Sequence, residues 1–225
     1  MIGRPLREPL PYLAASLCRE KDDFVASPGN WPDGSQDATR LGSDWRRHAL
    51  PVSGSRNFID VAYGFKEAAE AVFESVPVRS PDPLFLPLAY LWRHHFELLL
   101  KANISLWGRA TGSPLPPFGG KGGLGHDLRA LFDQFEALTS DHVSDKDLTD
   151  AAAARAALET FLELEPHHDA SRYPVGTDGR PYERPERVDL SELHSAAQAV
   201  SALLGAAYDQ ADAWLDAMPD ASDLF

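Results

Sequence analysis

The sequence predicts an all-α protein, an up-and-down helical bundle of about five helices with a short two-stranded ribbon before the last helix. Apolar residues recur at helical spacing over most of residues 57–217, and prolines and glycines separate the periodic segments. One central segment is apolar on nearly every side, as the middle helix of a bundle must be. With 225 residues, the chain can bury a substantial core.

Composition narrows the range of functions. The net charge of −13 argues against broad binding to duplex DNA or to an anionic membrane, because both need a basic face. The single cysteine, Cys18, rules out an intrachain disulfide, and prolines and charges interrupt the N-terminal segment where a signal peptide would be apolar. No apolar run approaches the roughly 20 residues that a membrane span needs. We therefore expect a cytoplasmic protein.

The chain is predicted to have three parts. Residues 1–56 are rich in Pro, Gly, Ser and Asp and show no sustained period, which indicates an irregular N-terminal arm. Residues 57–217 form the helical bundle, and residues 218–225 are a C-terminal tail.

The first predicted helix begins near Asn57, and prolines between positions 77 and 83 end it. Its inward face is predicted to hold Phe58, Val61, Ala62, Phe65, Ala69, Val72 and Phe73. The second helix, Pro83 to Trp107, is the central apolar one. A loop rich in proline and glycine follows over residues 111–125.

The third helix is predicted to open with His126 and Asp127, where a carboxylate is favoured by the helix dipole. The fourth runs from about residue 145 to 165, before a proline. Residues 172–182 have the turn residues of a short hairpin, whose prolines mark it as an edge ribbon. The last helix begins at Asp189, a predicted N-cap with Glu192 three residues later.

A narrow polar stripe interrupts the apolar surface of the second helix. At about 100° per residue, one side carries Tyr90, Arg93, His94, Glu97 and Lys101. One interpretation is a salt-bridge ladder on a solvent edge, in which Glu97 pairs with either neighbour. The other is a pocket in which Arg93 binds a phosphate or carboxylate while Glu97 holds the guanidinium in place. His95 points to the apolar side and is predicted to be a core histidine with a hydrogen-bond partner.

Two further motifs do not indicate a cofactor or a metal. Gly120, Gly122 and Gly125 match the letters of a dinucleotide fingerprint, but no strand precedes them. Two simpler interpretations stay open: a mobile loop, or glycines that hold an anion on backbone N–H groups at the start of the next helix. The adjacent histidines at positions 167 and 168 diverge, so they do not complete a metal site with His126 and Asp127. The sequence predicts neither group.

Six residues separate Arg187 from His194 at the entrance to the last helix. Such a pair can bind a phosphodiester and transfer a proton at near-neutral pH. The plainer interpretation is a linker arginine and a partly buried histidine in the first part of a helix.

Three motifs in order carry a family resemblance. They are the run from Arg93 to Ala102, the run Gly125-His126-Asp127-Leu128, and the run Arg172-Tyr173-Pro174 before a final long helix. Together, over roughly residues 57–215, they resemble HEPN-like helical proteins of bacteria, the higher eukaryote and prokaryote nucleotide-binding domains. The resemblance implies a helical core that is often dimeric, and roles in toxin–antitoxin pairs, phage defence, RNA cleavage or nucleotide binding.

The resemblance also implies site residues. Catalytic members carry an Arg, four to six intervening residues and then a His near the start of a late helix, and the matching residues here are Arg187 and His194. In a metal-independent endoribonuclease, Arg187 would bind the scissile phosphate and His194 would act as general acid or base. In a non-catalytic relative, a polar cluster would bind a ligand or hold the bundle together. Its members would be Arg93, Glu97, Lys101, His126, Asp127 and Arg172.

A different class of function also fits the chain. Acidic residues at positions 209, 212, 216, 220 and 223 suit a protein that meets a basic partner. The chain would then be an interaction or structural module, such as an antitoxin or an assembly partner.

Overall fold

A computed structural model describes residues 57–76, 80–119, 123–142, 145–164, 173, 175–176, 178–183 and 185–218, with only the backbone for 145–149. The predicted arm (residues 1–56), Arg172 and residues 219–225 of the predicted tail lie outside the described residues. Within the described part there are five helices, which confirms the predicted all-α class. They are α1 (Phe58–Glu74), α2 (Asp82–Thr111), α3 (Leu128–Thr139), α4 (Asp145–Leu164) and α5 (Leu190–Asp216).

Three helices begin at a side chain that accepts hydrogen bonds from the first turn. Asn57 Oδ1 accepts from the backbone N–H of Asp60 at 3.0 Å and caps α1. Asp127 and Asp189 do the same for α3 and α5, so the N-cap predicted at Asp189 is confirmed. His126 lies just before the α3 cap rather than within the helix.

Helix α2 is the centre of the bundle. Of its 30 residues, 18 are buried, and it packs against α1, α3 and α5. Helix α2 also contacts α4 through aromatic residues, since Phe96 meets Phe161 of α4 edge-to-face at 5.2 Å. None of the described helices is long and apolar enough to cross a membrane.

A row of polar contacts joins α2 to α5 inside the core. His95, fully buried, has Nδ1 at 2.8 Å from the Ala62 carbonyl and Nε2 at 2.9 Å from Ser201 Oγ. Burial lowers the pKa of His95 to about 4, so the ring is neutral at pH 7 and the prediction of a core histidine is confirmed. Further along, Asn103 and Trp107 donate to α5 carbonyls. Residues later in α2 contact residues later in α5, so the two helices run in the same direction.

An up-and-down bundle requires successive helices to alternate in direction. The described helices do not alternate strictly, so this part of the prediction is wrong. His126, before α3, contacts Glu97 of α2, and His142, after α3, lies 6.2 Å from the Trp107 ring. Helices α2 and α3 therefore run the same way. The reason is the loop after α2, which folds back along that helix and places Leu115 against Gly108.

The predicted two-stranded ribbon is not supported. Among the described residues between 173 and 183 there is no strand, only an isolated antiparallel bridge between Val175 and Pro181. Gly179, at φ 76°, forms the turn between them. Pro181 has no N–H to donate to a ladder, and over the part of this segment that the structure describes the pairing does not extend beyond the bridge.

Candidate functional site

The charged members of the α2 stripe are buried. Arg93, Glu97 and Lys101 are only 8%, 8% and 7% exposed. They therefore do not form a ladder on a solvent edge. A buried charge needs a partner, because its desolvation is otherwise uncompensated.

One carboxylate oxygen brings three of the predicted site residues together. Glu97 Oε1 accepts a hydrogen bond from Lys101 Nζ at 2.7 Å and lies 2.8 Å from His126 Nδ1. We call Glu97, Lys101 and His126 the Glu97 cluster. Lys101 and Glu97 are covered, whereas the His126 side chain is 68% exposed. Two members of the cluster are therefore buried, and the third, His126, is open to solvent.

Glu97 is ionised in this setting. Burial raises the pKa of its carboxyl, but the hydrogen bonds from Lys101 and His126 and the charge of Lys101 lower it more, so the pKa lies below its ordinary value. An ionised carboxylate can only accept hydrogen bonds. Nδ1 of His126 must therefore donate, and Nε2 is the ring nitrogen left for another partner.

The loop that precedes α3 positions His126. Gly125 adopts φ 63°, a left-handed conformation that glycine tolerates, and its N–H donates to the Phe118 carbonyl at 2.8 Å. The Phe118 ring lies 5.8 Å from Lys101 Nζ and meets the Phe58 ring edge-to-face at 5.6 Å. Sequence reasoning missed Phe118, although an aromatic residue within a Pro- and Gly-rich loop is a signal that the loop is anchored.

The other predicted members of the polar cluster are placed differently. Arg93 is buried one turn before Glu97 and is already engaged by a partner. Asp127 is exposed, and its carboxylate caps α3 by accepting from the N–H groups of Arg129 and Ala130. The cluster that the described residues establish therefore consists of Glu97, Lys101 and His126.

His194 lies in the core. It is 7% exposed, its ring stacks on Phe73 at 3.8 Å with 7° between the planes, and Trp92 meets it at 5.4 Å. Its Nδ1 is buried and has no hydrogen-bond partner among the described residues. Burial lowers the pKa of His194, although Glu70 and Glu74 act in the opposite direction. The ring is therefore held as a neutral packing element.

Arg187 is exposed and stands two residues before the Asp189 cap. It belongs to the chain leading into α5, whereas His194 is on the buried face of that helix. The structure brings the two side chains into different environments, one open to solvent and one enclosed by aromatic rings.

Among the described residues, no group of three or more His, Cys, Asp or Glu side chains is arranged to hold a metal ion. No family model, no curated protein and no solved structure matches the chain.

Proposed function

We propose that this chain is a HEPN-like helical protein that engages the phosphate of a nucleotide or of RNA at the Glu97 cluster. The observation that carries the proposal is the double hydrogen bond to Glu97 Oε1. A covered lysine and an exposed histidine meet at the same oxygen of one buried carboxylate.

The chemistry of the cluster suits a phosphate. An ammonium group has three donors, and Glu97 uses one of those on Lys101. His126 adds Nε2 at the exposed edge. Hydrogen bonds from charged donors to phosphate oxygens are shorter and stronger than neutral ones. Glu97 offsets the charge of Lys101, so the lysine can remain buried until an anion arrives.

An aromatic surface next to the cluster suits a nucleobase. Phe58 is 39% exposed and contacts Phe118, which in turn lies beside Lys101. Base–aromatic stacking contributes about 1–3 kcal/mol per base and tolerates different bases. A ligand with both a phosphate and a base can therefore use the cluster and the Phe58 ring together.

The geometry favours binding over cleavage by Arg187 and His194. A general acid or base must reach the proton that it transfers. Phe73 and Trp92 cover the His194 ring, and its Nδ1 is buried. We accordingly assign His194 to the core and propose a non-catalytic role for the Arg187 region.

The wider setting rests on the family resemblance. We propose a bacterial, cytoplasmic protein of a toxin–antitoxin or phage-defence system, with the homodimer that is frequent among HEPN-like proteins. Ligand binding at the Glu97 cluster and the neighbouring Phe58 ring does not depend on this setting.

Calorimetric titration of the full chain tests the proposal. We expect AMP and a short single-stranded RNA to bind, and adenosine, which lacks the phosphate, to bind at least tenfold more weakly. His126→Gln should weaken AMP binding. Arg180→Ala removes an exposed cation between Gly179 and Pro181 and should leave binding unchanged. Equal affinities for AMP and adenosine would overturn the proposal.

A second candidate, the interaction module, is favoured by the exposed carboxylates of α5. Asp212 and Asp216 are exposed one turn apart near the C-terminal end of that helix. If this is the working surface, a basic peptide such as oligolysine binds the wild type, and Asp212→Asn with Asp216→Asn weakens it. AMP binding would remain unaffected by that double change.

A further inference from the structure

The hydrogen bond between His126 and Glu97 fixes more than the direction of the ring. It joins Nδ1, not Nε2, to a carboxylate oxygen at 2.8 Å. Because the carboxylate has no proton to offer, the proton in this bond belongs to Nδ1. Glu97 thereby selects the tautomer of the imidazole as well as its orientation.

A neutral imidazole has one N–H, and here Glu97 takes it. Nε2 of the neutral ring then has a lone pair, which repels a phosphate oxygen. Only the imidazolium form has a second N–H for the ligand. We propose that phosphate binding at the Glu97 cluster is linked to the uptake of one proton by His126, and that Glu97 is the positioning residue that imposes this linkage.

The inference rests on the proposed phosphate-binding function and adds its regulation. The proton comes from solvent and ends on Nε2, where it forms the hydrogen bond to the anion. No covalent bond to the ligand forms or breaks. As a consequence, the affinity for phosphate groups rises as the pH falls, and it is set by a residue that does not touch the ligand.

Three charged groups lie near the ring along the chain or through a shared atom. Glu97 accepts from Nδ1. The Lys101 ammonium donates to the same oxygen. The carboxylate of Asp127, the next residue, caps α3. A bound anion adds negative charge on the Nε2 side, where the imidazolium has its second N–H.

Anion binding would need no proton uptake if Nδ1 of His126 were free. A histidine whose Nδ1 is free can move its single proton to Nε2 and donate to a phosphate without becoming charged. Glu97→Gln creates this situation. The amide has nearly the same shape and still accepts from Lys101, but it can donate as well as accept and so does not fix the proton on Nδ1. In this variant anion binding should proceed without proton uptake.

Nitrogen-15 NMR of the histidine rings in the full chain tests the inference. Sulfate serves as the probe, because it has no titrating group near about pH 8, where a free imidazole is mostly neutral. The His126 signals are assigned by their loss in His126→Gln. We expect one protonated ring nitrogen without sulfate and two with it. Arg180→Ala should reproduce the wild-type spectra.

The possible failures are distinct. If sulfate shifts the backbone amides around residues 125–130 while Nε2 stays unprotonated, the proton linkage is wrong and the binding site stands. Proton uptake that persists in Glu97→Gln would refute the role given to Glu97. If neither sulfate, phosphate nor AMP binds at any pH, the proposed function itself is wrong.

Discussion

His126 and His194 both stand close to the start of a helix, yet they occupy opposite environments. His126 precedes the α3 cap, is largely exposed and hydrogen-bonds a carboxylate. His194 lies in the second turn of α5, between two aromatic rings and with one nitrogen unpartnered. The comparison shows that the position along a helix does not decide the role of a histidine. The partner of each ring nitrogen and the access of water decide it.

The two environments suit different roles. His126 keeps Nε2 open beside a carboxylate that holds Nδ1, which suits it to meet an anion. Burial among apolar rings lowers the pKa of His194 and favours its neutral form, which suits it to packing.

The largest loss of stability is expected when the Glu97 carboxylate is removed. Glu97→Leu leaves the Lys101 ammonium, 9% exposed, without its partner, and we expect the free energy of unfolding to fall by about 3–5 kcal/mol. Chemical denaturation at neutral pH measures the loss. Combining Glu97→Leu with Lys101→Met should recover most of it, because no buried charge then remains. A loss below about 1 kcal/mol would show that water reaches the pair.

Acid should destabilise the fold through two buried histidines, His95 and His194. The pKa of His95 is about 4 in the fold against 6.5 ordinarily, so the unfolded chain binds its proton first. The stability from His95 is present above about pH 6.5 and is lost as the pH falls towards 4, by about 3 kcal/mol. His194, whose pKa is also lowered, adds to the loss.

The unfolding free energy measured across this pH range checks the prediction. His194→Phe removes one of the two titrating groups and should make the decline shallower. A stability that stays constant from pH 6.5 to pH 4 would contradict the neutral, buried state of both rings.

Shape should matter more than polarity at His194. His194→Ala opens a cavity between Phe73 and Trp92 and should cost about 2 kcal/mol or more. His194→Phe keeps a flat ring and removes the unpartnered nitrogen, so its stability should equal or exceed that of the wild type. Thermal unfolding compares the three proteins. A phenylalanine variant as unstable as the alanine variant would indicate a polar role for the imidazole.

The smallest stability effect is expected at His126. His126→Gln removes one hydrogen bond from a side chain that is mostly in water, and it should cost less than about 1 kcal/mol. Denaturation beside Arg180→Ala, the exposed control, measures the difference. A larger loss would mean that His126 holds the loop in place rather than meeting a ligand.

Much of the fold could be predicted from the spacing of apolar residues. The apolar run in α2 indicated a buried central helix, and the aspartate before α5 indicated its start, because both signals are local. The direction of α3 could not be predicted. It depends on how the loop after α2 folds back, including the contact of Leu115 with Gly108, and no periodicity encodes that contact.

Only part of the candidate site could be predicted from the sequence. The i, i+4 spacing brought Glu97 and Lys101 together in the prediction, and the structure pairs them. The meeting of His126 with Glu97 spans 29 residues, so only the folded loop creates it. The plainer interpretation of His194 already had it partly buried, but its stacking on Phe73 could not be predicted, since that contact requires α1 to lie over α5.

The most direct test of the central claim, that the Glu97 cluster binds a phosphate, is the AMP affinity of two histidine variants in one assay. Calorimetry at near-neutral pH should show His126→Gln binding AMP at least tenfold more weakly than the wild type, with His194→Phe unchanged. The account would be contradicted if His194→Phe lost binding while His126→Gln retained it.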